Sequence, residues 1–130
     1  MIDDGNYTVS LEQRLHAILD EVRQQYHLNS LLLADQNGFA ISHAGRLAHT
    51  GIAAIAPELI RVGEHAVRLG EYDSITCVAL VLENSHLMII KDIEVNDAPF
   101  ILVINTISVP KQLGKMIKGL KEQISLAMDE

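Results

Sequence analysis

Six histidines, one cysteine, two Ser-His pairs and a Gly-Lys pair are the residues of this chain best suited to bind a metal, attack a carbonyl or cradle a phosphate. His43, His49 and His65 flank one predicted helix, yet they lack the short fixed spacing that brings several ligands to one zinc ion. Ser42-His43 and Ser85-His86 each set a hydroxyl beside an imidazole. Adjacent strand residues point to opposite faces, so neither pair makes a nucleophile and its base directly. The Gly-Lys of "LGKMIKG" has no earlier glycine, no Ser or Thr after the lysine and no preceding strand, all of which a phosphate-binding loop needs. Cys77 falls in an apolar run, where a buried and unreactive thiol is expected. Asp35 and Asp92 read as turn or strand-end residues. No catalytic centre, metal site or cofactor is expected.

The elements that carry these residues form one domain, expected to span residues 1–130 with its core at about 10–128. A chain of 130 residues, 48% of them hydrophobic, has room for one full core and too little for two. Ten cationic side chains against 17 anionic ones leave a net charge of −7, which disfavours nucleic acid as a partner. A lone cysteine excludes an intrachain disulfide framework, and the opening "MIDDGNY" is acidic where a secretion signal is basic and then apolar, so a cytoplasmic location is expected. The longest apolar run is six residues, 77–82, against the roughly 20 that a membrane-spanning helix needs.

Residues 10–28 place Leu11, Leu15, Ile18, Leu19, Val22 and Tyr26 on one helical face, with Ser10 as N-cap and Glu12 in the first turn. "NSLLLADQNGFAISHAG" has two short apolar runs around Asn37-Gly38, the signature of a hairpin. Residues 74–107 hold three runs rich in Ile, Val and Leu, broken at Asn84-Ser85 and at Asn96, Asp97 and Pro99, which predicts a three-stranded meander. In its first strand, over 75–83, Ile75, Cys77, Ala79 and Val81 alternate with Val78, Leu80 and Leu82; both faces are apolar, so both must be covered. The last helix starts near Pro110 and buries Leu113, Ile117, Leu120, Ile124 and Ala127, weakened somewhat by Gly114 and Gly119. Opposite stand Lys111, Lys115, Lys118 and Lys121, a solvated face or a surface for an acidic partner. The result is an α+β fold: a three-layer α/β/α sandwich on a five-stranded antiparallel sheet, ordered α-β-β-α-β-β-β-α, with the terminal helices sharing one face.

The helix over 51–70 carries two apolar stripes where a surface helix needs one. Ile52, Ile55, Leu59, Val62, Ala66 and Leu69 suffice to cover a core. Ala53, Ala56, Ile60, Gly63 and Val67 form the second stripe; three of them are small, which suits the close approach of another helix. Glu58, Arg61, Glu64, His65 and Arg68 make a narrow polar strip. Pro57 is expected to kink this helix or mark its first turn.

The order of elements, the "LLLADQNGFAISHAG" hairpin with its Asp-x-x-Gly turn, the Ala-rich "AAIAPELIRVGEHAVRLG", the "ENSHLMIIKDI" hairpin and the "PFILVINTI" strand resemble the Roadblock family across nearly the whole chain. This is the dynein light-chain type domain that also occurs in bacterial proteins acting on small GTPases; profilin-like and longin-like domains have similar layers. Pro57 and the "NTISVPKQLGKM" segment depart from the family pattern. The resemblance implies a homodimer in which second helices pack antiparallel and third strands pair. The interface would then comprise Ala53, Ala56, Ile60, Gly63 and Val67 with Ile75, Cys77, Ala79 and Val81.

It further implies a non-catalytic regulator that binds a small Ras-like GTPase and modulates its GTP hydrolysis, with Glu58, Arg61, Glu64, His65 and Arg68 as partner contacts. A motor-adaptor or signalling scaffold that leaves nucleotide turnover unchanged is the alternative. A small-ligand sensor ranks below both, because the strands are aliphatic and offer no polar-lined pocket.

Overall fold

The first helix, α1 (Leu11–Gln25), starts where a capping box can form. Ser10 Oγ accepts from the Gln13 backbone N–H at 3.1 Å, and Gln13 Oε1 accepts in return from Ser10 N–H at 3.0 Å. The computed structural model describes residues 9–47 and 50–129, so His49 and the "MIDDGNY" opening lie outside the described residues. After α1 come β1 (Ser30–Asp35), β2 (Ala40–Gly45), α2 (Ile52–Leu69), β3 (Val78–Val81), β4 (Leu87–Val95), β5 (Ala98–Thr106) and α3 (Leu113–Met128). The expected order of elements and the α+β class both hold.

All five strands join one antiparallel sheet in the order β2-β1-β5-β4-β3. β5 is central, and residues Ile101, Leu102, Val103 and Ile104 are each at most 4% exposed because helices cover both sides. Alternation along the strands divides the core in two. Leu31, Leu33, Ile89, Leu102 and Ile104 pack with Leu15, Leu19, Met116, Leu120 and Ile124 of α1 and α3. Leu32, Ala34, Ile90, Ile101 and Val103 pack with Ala53, Ala56 and Ile60 of α2. Each large aliphatic side chain so enclosed contributes roughly 1.5–3 kcal/mol of burial.

The hairpin turns have different chemistry. Asn96 and Asp97 adopt φ of 53° and 66°, so β4 and β5 join through two left-handed residues, as the strand twist favours. Between β1 and β2 only Gly38 has a positive φ, 89°, while Asp35 Oδ1 accepts from the N–H groups of Asn37 and Phe39. That loop is therefore the expected Asp-x-x-Gly turn, capped by Asp35, with the positive φ at Gly38 and not at Asn37, and the β1–β2 register shifts at Leu33/Ala34.

Three further expectations change. Pro57 lies inside α2 (Ile52–Leu69) and not in its first turn. Asp92 lies mid-strand in β4, opposite Ile101, not at a strand end. Regular pairing of β3 covers only Val78–Val81, leaving Ile75 and Cys77 in the approach to the strand.

Candidate functional site

The two stripes of α2 are exchanged relative to expectation. Ala53, Ala56 and Ile60, expected to face a partner, are at most 9% exposed and lie on the sheet, with Gly63 and Val67 half-buried behind them. The physical reason is their size. Small residues let the helix approach its own sheet, and a Cβ on Gly63 would stand 2.6 Å from Ile75 Cδ1 and 2.7 Å from Val78 Cγ2 of the same chain.

The stripe expected in the core is largely outside. Ile55, Val62 and Leu69 are 46%, 56% and 73% exposed, and Ala66 is exposed between them. Ile52 and Leu59 are partly buried at the margin of the α2 core. The spacing of 55, 59, 62, 66 and 69 alternates four and three, the seam by which two helices mesh side by side. Sequence reasoning found both stripes but set the wrong one on the sheet.

α2 crosses the sheet. Near its start Gly38 of the β1–β2 loop lies against Ala53 and Ala54, and further along Gly63 rests on Ile75 and Val78 at the opposite edge. That edge is β3, four residues long and paired on one side only, by β4. Val81 at its end is 80% exposed and the following Leu82 is 38% exposed; Ala79 is also exposed. The other edge strand, β2, is packed against α1, and His16 Nδ1 lies 2.8 Å from the His43 carbonyl oxygen. β3 is thus the open edge, and Cys77 just before it is half-buried against the α1/α3 core.

The polar strip lies on the other flank of α2. Glu58 and Arg61 form an exposed ion pair, and Glu64, His65 and Arg68 are exposed near the helix end. Glu64 and Arg68 border a shallow cleft with Asp73, Ser74, Ile75 and Asp92. Among the described residues no group of three or more His, Cys, Asp or Glu converges where a cation could be held, and no helix is long and apolar enough to cross a membrane. What the arrangement offers is a surface for protein contact: an apolar seam, an open sheet edge and a charged flank.

No protein-family model and no curated protein matches the sequence. Solved structures are similar in three dimensions. Myxococcus xanthus MglB superposes with a TM-score of 0.69 at 14% identity, over 94% of this chain and 92% of that one. MglB in a tetrameric arrangement gives 0.67 at 14% identity over 94% and 93%. The Roadblock/LC7 domain from Streptomyces avermitilis gives 0.67 at 19% identity over 88% of this chain and 98% of that one. At such identities the likeness is one of fold, and the helix order, the β2-β1-β5-β4-β3 sheet and the lone α2 on one face agree with it: this chain has a roadblock-type fold.

Proposed function

We propose that two copies of the chain pair through the outer stripe of α2 and the β3 edge, and that the dimer binds a small Ras-like GTPase as a regulator without a catalytic centre of its own. The observation that carries the pairing is the exposed seam of Ile55, Val62 and Leu69 on the helix that rests on β3. Two such seams packed together remove those side chains from water, and two β3 strands laid side by side satisfy the open edge of each sheet. About 800 Å² per partner is the usual scale of such an interface. One MglB of the same fold assembles as a tetramer, which supports association between copies here.

In this arrangement Ala53, Ala56, Ile60 and Gly63 act from beneath, by setting the height of α2 over the sheet. Ala79 and Val81 supply the strand contacts. The GTPase reading rests on the resemblance to Roadblock proteins that act on small GTPases, and on the charged strip of Glu58, Arg61, Glu64, His65 and Arg68, which pairing through the other flank leaves free. The test mixes the purified protein with small GTPases and measures complex formation and GTP hydrolysis together. A complex that Arg61→Ala and Arg68→Ala weaken supports the reading. Binding without a change in hydrolysis identifies a scaffold, and no complex with any GTPase overturns the proposal.

A further inference from the structure

Four of the five lysines, Lys91, Lys115, Lys118 and Lys121, line clefts along α3, on the sheet face opposite α2. Lys91 lies on the α1/α3 face of β4, where with Lys118 and Lys121 it lines a cleft floored by Gly114 and Ile117. Lys115 and Lys118 border a second cleft on the other side of α3, shared with Tyr26 and Gly119. Lys111 precedes the helix and is exposed. Glu122 is the one acidic side chain lining either cleft among the described residues. Lys91 donates to the Thr76 carbonyl at 2.8 Å, whereas none of the four lysines of the α3 segment has an ion-pair partner among the described residues. In a chain of net charge −7 this is a segregated cationic face.

α3 also gives up helix stability along this face. Gly114 and Gly119 disfavour helix, and a Cβ at either would meet nothing within 4 Å, so no packing inside the chain requires them. No side chain caps the start of the helix and no acidic residue stands in its first turn; Lys115 sits there instead, at the positive end of the helix dipole. Each choice lowers the stability of the free helix, and the two glycines each border one of the clefts that the lysines line. Such a conflict between local preference and fold is expected where a surface serves contact.

We propose that the lysine face of α3 is a docking surface for an acidic segment of a partner protein, whose backbone approaches α3 closely at Gly114 and Gly119 while its carboxylates meet Lys115, Lys118 and Lys121. Charge complementarity selects the occupant. A helix that lies on a bilayer carries large apolar side chains beside its cations, and here glycines hold those places. An extended polyanion such as a nucleic acid reaches beyond this face and meets the repulsion of a chain with 17 acidic residues and a net charge of −7, whereas a short segment engages the cationic face alone.

The test uses a short fluorescein-labelled peptide of alternating Glu and Ser, with fluorescence anisotropy at low and raised salt. Vesicles of phosphatidylcholine with phosphatidylserine and a double-stranded oligonucleotide are the parallel arms. Wild-type protein is expected to bind the peptide with salt-sensitive affinity, and Lys115→Glu/Lys118→Glu to lose about tenfold or more. Glutamate at 115 suits the first turn of the helix and position 118 is exposed, so that variant keeps its fold, which circular dichroism verifies. A Cβ at position 119 meets nothing within 4 Å, so Gly119→Leu raises helix propensity, yet it is expected to weaken the peptide severalfold by filling the notch. Val62→Glu leaves peptide binding unchanged, which separates this surface from the α2 seam. Absence of peptide binding, equal binding by the charge-reversed variant, or binding of the vesicles or the oligonucleotide in place of the peptide overturns the proposal.

Discussion

Gly63 and Val78 are in such close contact that a Cβ on the glycine would lie 2.7 Å from Val78 Cγ2, with Ile75 Cδ1 at 2.6 Å on the same side. A larger residue at 63 therefore strikes its own chain first. Gly63→Leu is expected to lower the unfolding free energy by roughly 1–3 kcal/mol, the usual scale of overpacking. Urea unfolding, monitored at several protein concentrations, checks this. The loss persists at concentrations where the protein is a single chain, and a variant with unchanged stability and a weakened dimer would return Gly63 to the partner interface.

Gly38 is held by both backbone angle and space. Its φ is 89°, and a Cβ there would lie 3.0 Å from Ala54 Cα and 3.1 Å from the Ala53 carbonyl oxygen. Gly38→Ala is expected to cost about 1–3 kcal/mol, since the angle is strained and the contact is backbone that cannot turn away. Thermal unfolding measures the loss, and an unchanged midpoint would show that the β1–β2 loop moves freely from α2.

Gly119 has the opposite sign. Nothing lies within 4 Å of its added Cβ, so Gly119→Ala should raise stability by about 1 kcal/mol through helix propensity alone. That corresponds to a gain of roughly 3–5 °C in Tm for a domain of this size. A lower Tm would reveal a contact at this position that the helix geometry does not contain.

Among the described residues Asp20 carries the one distinct pH effect. The hydrogen bond from Arg23 holds its carboxyl below the usual carboxylate range, and one from Gln24 adds to the lowering. A depressed folded pKa means that the ionised form favours the folded state. This stability is present above the unfolded pKa, near 4, and disappears as pH falls through the lower folded value. Asp20→Asn should therefore be less stable than wild type at neutral pH, by a small amount because the pair remains partly open to solvent, and the difference should vanish in strong acid. Urea midpoints across that range test it; a difference that grows on acidification would contradict the sign.

The order of the elements was legible because each has its own period: threes and fours in the helices, and continuous apolar runs in β1, β3 and β5 that suit a sheet covered on both sides. The Ser10 cap and the left-handed Asn96-Asp97 turn were legible as short-range chemistry. What could not be read was which stripe of α2 meets the sheet. Periodicity measures how apolar a face is, and both faces are apolar; the choice between Ala53, Ala56 and Gly63 on one side and Ile55, Val62 and Leu69 on the other depends on the distance between helix and sheet, which the β3 approach at Ile75 and Val78 sets. Met116 was missed for a related reason, since it falls between Leu113 and Ile117 and is buried only because α1 lies beside α3.

The pairing of two copies through the outer stripe of α2 is the claim on which the functional account stands, and sedimentation equilibrium of the wild-type chain beside Val62→Glu tests it most directly. Wild type is expected to be a reversible dimer at micromolar concentration, and Val62→Glu, which sets a charge in the centre of the seam at a position already exposed in the single chain, to weaken that dimer at least about tenfold with its circular dichroism unchanged. A wild-type chain that sediments as a single copy up to roughly 100 µM, or a dimer that Val62→Glu leaves intact, would contradict the account.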